Sequence, residues 1–291
     1  MTPARRLWCS LLLWPVVTLA HHVVPTAASL TLGEPFMEYS YHSTALGKEQ
    51  LFTVVQPVGS RPARGWPVLF LLHGHGRNHR TLIDNPATRA LLRGRGYLII
   101  LPDTGGGWYV DSPVNSSSRY GQAFDELFRL ASEQFHLSSD RHDRAIAGWS
   151  MGGFGAMYHA GRTPGRFGFA GSMIGLLDFP RSEGLPENQR YRIPEQIFGP
   201  DPAVWRQFNP TTALRHLERT KLFIVVAAQA FDRTMNENFI CQARARGIKP
   251  RVTIIEGRHT FASVTAALPL LLRAVSRHLS DHDKKNGSSD F

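Results

Sequence analysis

Cysteine is scarce. Only Cys9 and Cys241 occur in 291 residues, so a disulfide framework is excluded as the source of stability. No CxxC or HExxH pattern occurs. The histidines, of which His73, His75 and His79 cluster most, lack paired metal-ligand spacing, so neither a metal nor a cofactor is expected. Lysine is rare as well: Lys48, Lys221, Lys249, Lys284 and Lys285 are the whole set, and the net charge of +10 and pI of about 10.1 rest on arginine. The arginines are scattered and accompany no nucleic-acid motif, which argues against a nucleic-acid partner. Internal repeats are absent.

What remains is an ordinary globular composition. At 42% hydrophobic and 19% charged, the chain can bury a sizeable core. Arg5 and Arg6 precede a nearly apolar stretch from Leu7 to Ala20. This reads as a signal peptide within residues 1–28, cleaved after Ala20 or after Ala28, and so as an exported (periplasmic or secreted) protein. The stretch is shorter than the ~20 residues of a full span, and His21 and His22 end it. No stable membrane span is expected after processing. Removal of Cys9 would leave Cys241 alone, in an expected helix, as a buried structural thiol.

Along the chain, alternating Phe36–Tyr41 and Leu51–Val55 predict an antiparallel hairpin. Apolar runs at Val68–Leu72, Tyr97–Leu101 and Leu222–Ala227, and the short Arg144–Ala147, predict buried strands; Phe169–Ile174 and Val252–Ile255 read as further strands. Helical spacing falls between them, at Thr81–Leu92, Gly121–Phe135, Asn236–Arg246 and Ala262–Leu279, where Pro269 could kink the helix. The prediction is one α/β domain over residues 29–280. It has a mainly parallel central sheet, helices on both faces and the hairpin at one edge. Residues 178–214, rich in Pro and Arg, read as an irregular cap-like insertion. Residues 281–291 read as a disordered tail. Active sites in such sheets sit at the carboxyl ends of strands.

Gly148-Trp149-Ser150-Met151-Gly152 fits G-x-S-x-G, the strand–turn–helix that presents a nucleophilic serine. A buried strand precedes it and a helix of small residues follows. Serine at its free pKa needs a histidine base held by a carboxylate. His259 follows the last strand and is the candidate base. Asp232 follows the strand ending at Ala227 and is the candidate acid. Asp178 competes with it, and an N-cap role is the alternative reading of Asp232. The oxyanion of acyl transfer needs backbone N–H donors. Met151, next to the serine, and His75, in the turn after Leu72, are the candidates. Trp108, Tyr109, Trp205 and Phe231 are candidate pocket walls, with a core role as the alternative for each.

Val68-Leu69-Phe70-Leu71-Leu72-His73-Gly74, Gly107-Trp108-Tyr109-Val110-Asp111, Ala147-Gly148-Trp149-Ser150-Met151-Gly152-Gly153-Phe154-Gly155-Ala156 and His259 resemble the putative-esterase family of α/β-hydrolases. That family includes tributyrin-type esterases, S-formylglutathione hydrolases, feruloyl and acetyl-xylan esterases and the antigen 85 mycolyltransferases. The resemblance covers roughly residues 36–278. It implies an α/β-hydrolase fold with Ser150 as nucleophile, His259 as base, Asp232 as acid, and His75 and Met151 as oxyanion donors. It implies a carboxylesterase acting on short-chain, acetyl or aryl esters, either small molecules or polysaccharide-linked. An acyltransferase of antigen 85 type and a non-catalytic binding protein are the alternatives. The oligomeric state is not implied.

Overall fold

A computed structural model describes residues 23–181 and 192–287. Among the described residues nine strands form one sheet: β1 (Val24–Pro25), β2 (Phe36–Ser43), β3 (Lys48–Val55), β4 (Val68–Leu72), β5 (Leu98–Pro102), β6 (Arg144–Trp149), β7 (Phe169–Met173), β8 (Lys221–Ala227) and β9 (Arg251–Ile255). Their order is β1-β2-β3-β5-β4-β6-β7-β8-β9. The pairs β1–β2, β2–β3 and β3–β5 are antiparallel. From β5 through β4 to β9 every pair is parallel. The expected edge hairpin is β2–β3.

The helices are α1 (Ala28–Leu32), α2 (Thr81–Asp84), α3 (Pro86–Leu92), α4 (Tyr120–Gln134), α5 (Met151–Arg162), α6 (Glu195–Phe198), α7 (Pro202–Trp205), α8 (Arg233–Ala245) and α9 (Phe261–Gly287). Alternation along β4 assigns them to two faces. Val68, Phe70 and Leu72 pack with Phe124 of α4, Phe154 of α5 and Phe239 of α8. Leu69 and Leu71 pack with Leu92 of α3 and Leu268 of α9. Phe70 is fully buried; truncating such a residue to alanine costs about 3–5 kcal/mol.

Three expectations change. The helix expected over Thr81–Leu92 is two helices. Asn85 is extended, with φ −91° and ψ 119°, and its side chain caps α3 by accepting from the Ala87 and Thr88 N–H groups. Pro86 has no N–H to continue α2 and disfavours helical geometry at Asn85. The tail expected to be disordered from 281 is helical through Gly287, because extending an existing helix avoids the cost of nucleation. Cys241 is exposed, not buried. The inward face of α8 is Met235, Asn236, Phe239, Ile240 and Ala243, and position 241 falls outside that 3.6-residue stripe.

The insertion region contains α6, α7 and a 3-10 segment over Pro210–His216. The expected signal stretch falls almost wholly on residues 1–22, and residues 182–191 belong to the insertion; both lie outside the described residues. Among the described residues no helix is long and apolar enough to cross a membrane.

Candidate active site

The turn from β6 into α5 places Ser150 at φ 54° and ψ −120°. A non-glycine residue there carries strain of the order of 1–3 kcal/mol. The neighbouring glycines make the turn possible. A Cβ on Gly148 would strike the Gly152 backbone, and one on Gly152 would strike the Leu72 carbonyl. The strand end, the turn and the start of α5 therefore pack backbone against backbone.

His259 follows β9, and its two ring nitrogens join two distant parts of the chain. Nδ1 lies 2.6 Å from Asp232 Oδ1 and Nε2 lies 2.8 Å from Ser150 Oγ. An ionised carboxylate only accepts. Nδ1 therefore carries the proton and donates to Asp232, which leaves Nε2 to accept from the serine hydroxyl. Asp232 is fully buried, and its Oδ2 accepts from Asn236 Nδ2 at 2.9 Å. Asn236 Nδ2 also donates to the Gly175 carbonyl at 2.7 Å. Asp232 sits at the start of α8, yet its side chain makes no capping hydrogen bond. The N-cap reading therefore does not hold.

Asp178 is also buried, but it is committed elsewhere. Oδ1 accepts from Asn209 Nδ2 at 2.9 Å. Oδ2 accepts from Arg181 Nη1 at 2.9 Å and from Asn238 Nδ2 at 3.1 Å. The structure brings Asp232, and not Asp178, to His259.

A cavity of about 160 Å³ opens beside Ser150 and His259. Gly74, His75, Trp149, Ile174, Phe261 and Val264 are among its walls. The turn carrying His75 lies against the elbow: a Cβ on Gly74 would come 3.3 Å from Ser150 Cβ. Met151 is the first residue of α5. Its N–H has no intrahelical acceptor, and the positive end of the helix dipole lies there.

The expected aromatic walls are a correction. Trp108 and Tyr109 are fully buried and belong to the core beneath the site. Trp108 packs on Phe179 at 5.0 Å and on Phe154 and Phe198 at 5.4 Å. Tyr109 donates its hydroxyl to the His73 carbonyl at 3.0 Å, and burial raises its pKa. It thus braces the turn that carries His75. Trp205 donates Nε1 to the Gly199 carbonyl at 2.8 Å and lines a separate cavity with Asp178. Phe231 packs its ring on the His259 imidazole, with centroids 4.4 Å apart, and is not among the walls of the Ser150 cavity.

Asn236, Trp149, Ile174 and Phe261 are site residues that the sequence reading missed. Only Asn236 had a signal, as a polar residue one helical turn from Asp232.

A buried charged cluster supports the neighbouring turns. His79 bridges Glu38 Oε2 at 2.9 Å and Asp103 Oδ2 at 3.2 Å. Burial would raise the Asp103 pKa, but the nearby His73 and bonds from His79 and the Gly105 N–H outweigh it and hold the carboxyl well below its usual range. Among the described residues, no group of three or more His, Cys, Asp or Glu is placed to hold a metal.

Known proteins resemble this chain in sequence and in fold. Mycobacterium tuberculosis proteins named as esterases are 36% identical over 157 residues, covering 50% of this chain and 34% of their own length. The chain thus spans about a third of those relatives. A Paracoccus denitrificans S-formylglutathione hydrolase is 25% identical over 199 residues, covering 61% of this chain and 68% of that one. Among solved structures, a fluorophosphonate-binding serine hydrolase of Staphylococcus aureus superposes with a TM-score of 0.72 at 22% identity, over 84% of this chain and 98% of that chain. The family described as Putative esterase matches residues 43–268. With the elbow, the parallel sheet and that match over most of its length, the chain belongs to the putative-esterase family of α/β-hydrolases.

Proposed function

We propose that the chain is a serine carboxylesterase acting on short-chain or acetyl and aryl esters. The observation that carries this reading is the unbroken hydrogen-bond chain from Asp232 through His259 to Ser150, at 2.6 and 2.8 Å. In the proposed reaction Ser150 Oγ attacks the ester carbonyl carbon as His259 Nε2 takes its proton. The carbonyl oxygen becomes an oxyanion facing the N–H groups of His75 and Met151. Collapse of the tetrahedral intermediate expels the alcohol, which takes the proton from His259. Water then adds to the acyl-enzyme by the same route and releases the acid. Asp232 keeps its charge throughout and stabilises the imidazolium.

The volume beside the serine supports a short acyl group. About 160 Å³ walled by Trp149, Ile174 and Phe261 suits a few carbons and not a long chain. Export, inferred from Arg5–Arg6 and the apolar Leu7–Ala20 stretch, favours a substrate outside the cytoplasm.

The test is a fluorophosphonate probe and a p-nitrophenyl ester series of rising chain length, with Ser150→Ala beside the wild type. Labelling of the wild type alone is expected. Acetate and butyrate esters should be hydrolysed at least ~10-fold faster than octanoate, a pocket-fit difference of ~1.4 kcal/mol. An unlabelled wild type would sink the enzyme reading.

A further inference from the structure

Three cavities more spacious than the one beside Ser150 lie away from it. One of about 630 Å³ runs between the second half of α5 and the segment 203–216. It shares Arg215 and His216 with a second of about 380 Å³. It shares Arg206, Asn209 and Thr212 with a third of about 280 Å³. Together they form a continuous trough. One end reaches Asp178, just after β7, at the carboxyl ends of the strands, where the serine also sits. The other reaches Arg141 and Arg219, which precede β6 and β8, at the amino ends.

The trough is unevenly charged. Arg141, Arg206, Arg215 and Arg219 line it and have no carboxylate partner among the described residues. Arg215 donates Nε to His216 Nε2 at 3.1 Å, a contact that neutralises nothing. Arg162 is paired with Asp125 at 3.3 Å. Among the described residues no acid lines the first cavity, Glu218 lines the second and Asp178 the third. Burial and then the nearby Arg219 charge push the Arg141 guanidinium below its ordinary pKa, and the Asp140 carboxylate offsets this only in part. The C-terminus of α5 contributes roughly half a negative charge, short of balancing four cations.

We propose that this trough binds an anionic glycan, a sugar chain bearing carboxylate or phosphate groups, at a site separate from the Ser150 cavity. Guanidinium groups match such oxyanions in bidentate geometry. Gln207, between the arginines, supplies an amide for sugar hydroxyls, and the Thr212 hydroxyl, which donates to the Arg206 and Asn209 carbonyls, can accept from one. A membrane surface fits less well. Among the described residues the exposed large hydrophobics, Val24, Leu30, Val58, Val114 and Ile254, are outside the trough, so none of them would insert there. A single-stranded nucleic acid fits less well too, because bases need free aromatic faces. Tyr158 is already stacked on Phe154, and Trp205 is tied to Gly199.

The test measures anisotropy of fluorescein-labelled oligogalacturonate on the full chain, with an uncharged dextran oligomer of equal length as control. Saturable binding of the charged oligomer alone is expected, weakening about tenfold or more between about 50 and about 200 mM salt. The triple variant Arg206→Ser/Arg215→Ser/Arg219→Ser should bind at least about tenfold more weakly while melting with the wild type. The single Arg215→Glu should also weaken binding, in case the triple variant folds poorly. Ser150→Ala should bind as the wild type, which separates this site from the esterase reading. Equal binding of dextran, wild-type affinity in both arginine variants, or tighter binding of phosphatidylglycerol vesicles or a single-stranded oligonucleotide would overturn the proposal.

Discussion

The ends of β7 and β8 each carry a buried aspartate, and the two differ in what they hold. Asp178 is satisfied by Arg181, Asn209 and Asn238. Its partners tie the segment after β7, the start of the 3-10 segment and α8 together. Asp232 has Asn236 on one oxygen and the His259 imidazole on the other. A carboxylate whose oxygens are all taken by fixed donors is structural. One that leaves an oxygen for an imidazole can stabilise a charge that appears during a reaction. Burial and position after a strand do not distinguish the two; the remaining partner does.

The sharpest way to break that comparison is Asp232→Asn. It should lower kcat for p-nitrophenyl acetate by about 10³–10⁴-fold, the size of a lost triad carboxylate, and leave the fold intact by circular dichroism. Wild-type kcat in this variant would remove Asp232 from the reaction. Asn236→Leu tests whether the second oxygen matters. Loss of a hydrogen bond to a buried charged group is worth about 1.5–3 kcal/mol. We expect kcat to fall about 10–100-fold with KM little changed. An unchanged kcat with lowered stability would make Asn236 purely structural.

Asp178→Asn should do the reverse. Activity per folded molecule should stay within about threefold of wild type, while urea unfolding shows a loss of about 1–3 kcal/mol. A large fall in kcat would exchange the roles assigned to the two aspartates.

A third buried ionisable group, His159, has no carboxylate in hydrogen-bond contact and sharpens the contrast. It donates Nε2–H to the Tyr109 carbonyl at 2.9 Å. Burial, above all, drops its pKa from 6.5 to about 3. Below pH 6.5 the unfolded chain binds a proton there that the folded chain refuses. Stability from this group is therefore complete above pH 6.5 and falls as pH drops toward 3. The loss amounts to about 1–2 kcal/mol by about pH 5. His159→Gln should flatten the slope of stability between about pH 6.5 and about pH 4 in urea titrations. An unchanged slope would place the acid sensitivity elsewhere.

Much of this architecture was legible from local pattern. Strands and helices alternate where the apolar runs and helical spacing place them, with the antiparallel hairpin at the edge. The departures have local physical causes, such as Pro86 dividing one expected helix and the inward stripe of α8 leaving Cys241 in solvent. The aromatics were harder. Trp108 and Trp205 have the same composition as pocket walls and as core, because an aromatic ring serves either purpose. The charge was hardest. Arg141, Arg206, Arg215 and Arg219 look scattered along the chain, yet the starts of β6 and β8, the end of α5 and the 3-10 segment meet in space.

The sequence alone determined the sharp turn at Ser150, because glycines at 148 and 152 are required by backbone contacts within that turn and with the adjoining strand. It determined the sheet too, since burial periodicity is written residue by residue. Only the tertiary structure decided which aspartate meets the imidazole, which rings face the cavity and where the arginines gather. Ser150 and His259 are 109 positions apart, and Asp232 and His259 are 27 apart. Contacts at such separations are set by how strands and helices pack. No local pattern of side chains encodes that.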